Sequence, residues 1–233
     1  MNELPGEGRR PDAVLFDLDG TLIDSLPDLA DALDDLLGLE GHARLGEARV
    51  RPMIGHGVEK LVQRGFAAHG IALDGAPLAA MADRFRAIYE PRATRLTRLY
   101  PHVEDAVRAL AASGMPMAVC TNKPTAVSRE ILADFGLADI FPVVVGGDFG
   151  PPRKPAPDLV LVTAQLLGVH PANCLFVGDS PADVGAARAA GMPVIVVGYG
   201  YTAIAPADLG ADRVIADFRD LGVARPGAGR AAE

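Results

Sequence analysis

Short apolar runs rich in Val and Ile recur along the chain, at residues 13–16, 117–120, 142–145, 174–177 and 193–197, with a weaker pair at 214–215. None of them alternates with polar residues, which is the pattern of strands buried on both faces. Between the later runs lie helical stretches that each close on a glycine: 103–113 before Gly114, 125–135 before Gly136, 159–167 before Gly168 and 182–190 before Gly191. A glycine just past the last periodic residue is a helix stop signal. Strand and helix in alternation predict an α/β fold built on a doubly wound parallel sheet.

From about Asp24 to Leu99 that rhythm breaks. Leu26, Leu29, Leu33 and Leu36, then Leu61, Val62 and Phe66, then Met81, Phe85 and Ile88 repeat at helical spacing, with no convincing strand among them. This predicts an inserted α-helical cap at 24–97, interrupting a core made of 10–23 and 98–223. Ligands of open α/β sheets sit at the carboxyl ends of the strands, so an insert leaving the end of the first strand stands over that crevice. The last residues, 224–233, are Ala, Gly, Pro, Arg and Glu without hydrophobic period, and are expected to be a disordered tail.

Composition narrows the function. The 22 Lys and Arg against 30 Asp and Glu give a formal charge of −8, which argues against a partner bound by its phosphate backbone or an anionic membrane. The first dozen residues lack an apolar signal segment, and no apolar stretch approaches the ~18 residues a membrane span needs, so a cytoplasmic protein is expected. The two cysteines, Cys120 and Cys174, lie inside apolar runs and read as buried reduced thiols.

The chemistry gathers at strand ends. The first strand runs into Asp17-Leu18-Asp19-Gly20, and the fourth into Gly178-Asp179-Ser180-Pro181-Ala182-Asp183. A carboxylate ending a buried apolar run is costly without a cation or a partner. Asp183 also fits the N3 position of a helix begun by Ser180 and Pro181. The second strand delivers Thr121-Asn122-Lys123-Pro124, a hydroxyl, an amide and an ammonium ahead of a helix N-terminus, and the loop after the third carries Arg153-Lys154-Pro155. Asp17, Asp19, Asp179, Thr121 and Lys154 together make the set needed to hold a hard divalent cation and a phosphoryl group.

This ordered set resembles the four signature motifs of the haloacid dehalogenase superfamily, in its phosphatase branch with a helical cap after the first motif. The stretches at 53–57, 99–103, 121–124 and 198–201 are further similar to the bacterial phosphoglycolate phosphatase group. The resemblance implies that Asp17 is a nucleophile forming an aspartyl-phosphate and Asp19 the general acid and base. It implies Mg2+ held by Asp17, the backbone carbonyl of Asp19 and Asp179, with Asp183 supporting from behind. Lys154, Thr121 and Asn122 would bind the phosphoryl oxygens. The implied partner is a small-molecule phosphate ester such as 2-phosphoglycolate, handled by a monomer or homodimer. Another small ester or a sugar-phosphate mutase reaction fits the same core. A phosphorylatable signalling receiver is the rival from another class, and the spacing of Asp17 and Asp19 and the helical cap speak against it. For the substrate's own carboxylate, the cap turn Gly55-His56-Gly57 is the first candidate, followed by Arg51, Lys60, Arg64, Arg92 and Arg95; alternatively, the two glycines let cap helices cross closely.

Overall fold

Val14 and Phe16 turn to one face of the first strand and Ala13 and Leu15 to the other, and all four are fully buried. A strand with two covered faces needs helices on both, and that demand organises the molecule. The computed structural model describes residues 10–222, so the expected tail at 224–233 lies outside the described residues. In chain order the strands are β1 (Ala13–Phe16), β2 (Ile23–Asp24), β3 (Arg98–Leu99), β4 (Met117–Cys120), β5 (Val143–Val145), β6 (Cys174–Gly178), β7 (Val194–Val197) and β8 (Arg213–Ile215). The helices are α1 (Leu26–Leu39), α2 (Glu47–Val50), α3 (Val58–Ala67), α4 (Gly75–Tyr89), α5 (Val103–Ala112), α6 (Thr125–Asp134), α7 (Asp158–Leu167) and α8 (Pro181–Ala189).

Six of the strands form one sheet in the order β5-β4-β1-β6-β7-β8, with every pairing parallel. The chain builds outward from β1 to β5, then returns to β6 on the other side of β1 and builds outward again. The strand order thus reverses between β1 and β6, the place where such sheets bind ligands. Helices α5 and α6 cover the face that carries Val14, Phe16, Val119 and Val177. Helices α7 and α8 cover the face with Leu15, Cys120, Phe176 and Val196. Each large side chain so buried contributes about 1.5–3 kcal/mol of transfer free energy.

In the insert, α1, α3 and α4 pack on one another around Leu33, Phe66 and Phe85. The closest approach of α1 and α3 is made possible by Gly65, where a Cβ would stand 2.8 Å from Cδ1 of Leu33. The insert is not strand-free, as its periodicity suggested. Antiparallel β2 and β3 pair where the chain leaves and re-enters the core, Ile23 beside Leu99 and Asp24 beside Arg98. Two residues are too few to register as a period. Asp28, in the first turn of α1, fastens the same neck: it accepts from the N–H groups of Leu96 and Thr97 and from the Thr97 hydroxyl, all within 2.9 Å.

Both cysteines are buried and unpaired, and burial pushes each thiol up to about 11, which keeps it protonated and inert. Among the described residues no helix is long and apolar enough to cross a membrane.

Candidate active site

Asp17 follows β1 directly, and Asp179 follows β6, its neighbour across the switch point. The Asp17 carboxylate is fixed through one oxygen: Oδ1 accepts from the N–H of Leu18 at 2.7 Å and lies 3.0 Å from Lys154 Nζ. That leaves Oδ2 facing away from the protein donors described for this group. Asp179 Oδ2 accepts from the N–H of Tyr201 at 2.7 Å. It is seated between two glycines, since a Cβ on Gly20 would stand 2.5 Å from its Oδ2 and one on Gly200 2.2 Å from its Cβ. Asp183 meets the helix expectation, accepting through Oδ2 from the N–H and hydroxyl of Ser180, at 3.0 and 2.6 Å. Its Oδ1 takes a 2.6 Å bond from Lys154.

Oxygens of Asp17, Asp179 and Asp183 lie within 4.8 Å of one another, all three residues buried. Burial first, partly offset by Lys154 and reinforced by Asp183, pushes the Asp17 carboxyl up to about 7. Burial, then the neighbouring Asp183 and Asp17, likewise holds Asp179 well above the carboxylate range. Burial opposes the Lys154 charge, but Asp17 and Asp183 outweigh it and the ammonium is held more firmly than usual. Three buried acids against one ammonium leave two negative charges unmatched, the charge of one divalent cation.

The Asp19 side chain is not in that cluster. It turns the other way, accepting from the Ser25 hydroxyl at 2.6 Å and from Lys123 Nζ at 3.1 and 3.2 Å. Any part it takes in holding a cation falls to its main chain, as the resemblance implies. Lys123, absent from the expected set of site residues, is buried here and also donates to the Tyr89 hydroxyl at 2.6 Å, at the end of cap helix α4. The only sequence signal for it was an ammonium in the turn after β4.

Thr121 stands where expected, buried at the end of β4 and beside the cavity. Asn122, expected among the phosphate-binding residues, has its side-chain amide engaged with the protein. The amide donates to the carbonyls of Gly55 and Lys154 and accepts from the N–H of Lys154, each at 3.0 Å. It ties the Lys154 loop to the cap and uses both of its amide N–H donors doing so. The cap turn is likewise a docking element. Gly57 (φ +85°) lies against the core, where a Cβ would stand 2.6 Å from Arg153 Nη1. Gly55 and Gly57 border the cavity, but His56 is exposed and sits 3.3 Å from Arg64. The glycine that brings two cap helices together is Gly65, not this pair.

The other expected contacts for a carboxylate face elsewhere. Arg51 donates to the carbonyl of Gly200, Arg64 to that of Met53, and Lys60 to Gln63. Arg92 pairs with Asp35 and Arg95 with Asp31. A core-to-cap ion pair joins Arg153 to Glu59 at 2.9 Å. What remains between Asp17, Asp19, Thr121, Lys123 and the cap is about 40 Å3, room for a few waters.

A family model described as haloacid dehalogenase-like hydrolase matches residues 11–191. A phosphoglycolate phosphatase of Rhodospirillum rubrum is 45% identical over 216 residues, covering 91% of this chain and 90% of that protein. One of Yersinia pseudotuberculosis is 40% identical over 211 residues, covering 89% and 90%. Among solved structures, a predicted phosphoglycolate phosphatase from Haemophilus somnus 129PT superposes with a TM-score of 0.85 at 34% identity, covering 91% of this chain and 97% of the other. CbbY from Rhodobacter sphaeroides, solved in complex with phosphate, reaches 0.78 at 25% identity, with 91% and 96% covered.

Proposed function

This chain belongs to the haloacid dehalogenase-like hydrolases, and from that premise we propose that it is a Mg2+-dependent phosphatase that converts 2-phosphoglycolate to glycolate and phosphate. The observation that carries the chemistry is the convergence of Asp17, Asp179 and Asp183 at the switch point, with Lys154 paired to Asp17 and Asp183 and a second acid, Asp19, two residues from Asp17 and outside the cluster. The relatives' names support the substrate.

Asp17 is the nucleophile. Its Oδ1 is pinned by Leu18 and Lys154, so Oδ2 is presented to phosphorus in one orientation. As the Asp17–phosphorus bond forms, the ester P–O bond breaks, and the departing glycolate oxygen takes a proton from Asp19. The Asp19 carboxylate then takes a proton from a water whose oxygen attacks the same phosphorus, releasing inorganic phosphate and restoring Asp17. Lys154 and the Thr121 hydroxyl bind the phosphoryl oxygens as their charge spreads in the transition state. Mg2+ would be held by Asp17, Asp179 and the main-chain carbonyl of Asp19, with Asp183 behind them, and when bound supplies positive charge opposite the transferring group.

A kcat/KM panel over 2-phosphoglycolate, sugar phosphates, nucleotides and pyrophosphate tests the assignment. The highest value is expected with 2-phosphoglycolate, together with loss of turnover in excess chelator. A sugar phosphate or nucleotide turned over more efficiently would replace the substrate, and a requirement for a bisphosphate activator would replace hydrolysis by mutase chemistry.

The acid cluster also predicts how the cation affects stability. Asp17 and Asp179 have folded-state pKa values above their unfolded ones, so their stabilising contribution is complete below about pH 4. It is lost as pH rises through the folded values, about 7 for Asp17. A bound cation removes that loss. Mg2+ at a hundredfold excess over Kd should raise Tm by about 5–10 °C at pH 8. The rise should be much smaller at pH 5, where protons compete for the same oxygens. Equal shifts at both pH values in a thermal scan would remove the cluster from metal binding.

A further inference from the structure

2-Phosphoglycolate is an anion at both ends, and the phosphoryl end already accounts for Lys154 and Thr121. Its carboxylate needs a separate donor set. Among the described residues that line the cavity, Lys123 is the one cation. Its ammonium has three N–H donors. They meet both oxygens of the Asp19 carboxylate, at 3.1 and 3.2 Å, and the Tyr89 hydroxyl, at 2.6 Å. The Tyr89 hydroxyl accepts from Lys123 and keeps its own proton to donate. A positive charge and a free O–H donor therefore stand side by side at the cavity wall, one from the core turn after β4 and one from cap helix α4.

Their position suits the substrate. A general acid must come within about 2.6–3.2 Å of the ester oxygen it protonates. Lys123 Nζ lies 3.1 Å from that acid, Asp19. In 2-phosphoglycolate a single methylene separates the ester oxygen from the carboxylate, so whatever touches Asp19 is close to the carboxylate as well.

We propose that Lys123 and the hydroxyl of Tyr89 form the seat of the substrate's carboxylate, so that selectivity is set where α4 meets the core and not in the turn at 55–57. This rests on the phosphoglycolate reading above and supplies the recognition element that reading requires. Glu90, the neighbouring acid on the cavity rim, is exposed and remains hydrated.

The test compares kcat/KM for 2-phosphoglycolate with that for ethyl phosphate, the same ester with methyl in place of carboxylate. The ratio of the two should fall at least about 30-fold in Lys123→Met and roughly 3- to 10-fold in Tyr89→Phe, the loss expected when a site's hydrogen-bonding groups no longer meet their ligand. Lys123→Gln, which keeps polar contact with Asp19 and Tyr89 but no charge, gives the same fall and serves should the methionine variant not fold. A ratio within threefold of wild type in the lysine variants, including an equal loss on both esters, overturns the proposal. A wild-type enzyme that does not prefer 2-phosphoglycolate to ethyl phosphate overturns the substrate reading instead. Lys123 is then judged by the same ratio on the best ester with an anionic tail, and the absence of any such preference overturns it too.

Discussion

Asp17→Asn is expected to leave a folded protein with turnover reduced by at least about 10⁴-fold, because an amide cannot attack phosphorus. The substitution is otherwise gentle. An amide oxygen still accepts from the Leu18 N–H and from Lys154, so the turn after β1 keeps its shape. Asp17 is held as an acid near 7 by burial, so removing its charge relieves the cluster. In chelator at pH 8 the variant should therefore melt no lower than the wild type, and Mg2+ should stabilise it less. Turnover above one hundredth of wild type, with deamidation excluded by mass measurement, would end the assignment of Asp17 as nucleophile.

Lys154→Met is expected to damage both activity and fold. Its ammonium is the shared partner of Asp17 and Asp183, with a third contact to the carbonyl of Cys120 at 2.8 Å. Methionine retains the packing against Phe176, whose ring centre lies 5.1 Å from Nζ, and removes only the charge and its hydrogen bonds. Buried acids stripped of their only ammonium typically cost about 3–5 kcal/mol. For a chain of this size that lowers Tm by roughly 6–20 °C. Without the ammonium opposite the phosphoryl oxygens, kcat should fall by about 10³-fold or more. Low pH should recover part of the stability and none of the rate, because protonating Asp17 removes an unpaired charge and also disarms the nucleophile. A variant that unfolds in urea with an unchanged midpoint would show that Lys154 is not the counter-ion of this cluster.

Much of this was legible before any coordinates. The strands at 13–16 and 117–120 were read to the residue, because strands buried on both faces appear as unbroken apolar runs. Helix ends followed from their glycines to within a residue. Ser180 and Asp183 behaved as a helix start should, since capping is a contact between near neighbours. What escaped were contacts between distant segments. Nothing local distinguishes an Asn122 that clamps Gly55 to Lys154 from one that faces a phosphate. Nothing local says that Lys123 looks across at Tyr89, or that the Asp19 side chain turns from Asp17 toward Ser25. The neck strands β2 and β3 escaped for a different reason, being shorter than one period of any pattern.

The position of β1 at the middle of the sheet has a consequence for how the protein is made. Val14 pairs with Met117 on one side and with Leu175 on the other, and both partners are synthesised after the whole helical insert. During translation this fully buried strand thus leaves the ribosome first of the six and waits, with both edges open, while α1 to α4 emerge and find one another. Pairings this distant are slow, and an open strand edge is an invitation to other nascent chains. Asp17, the proposed nucleophile, is attached to that waiting strand, so the acid cluster is completed only when β6 brings Asp179. Its quality depends on the strand being kept from wrong partners until β4 and then β6 arrive.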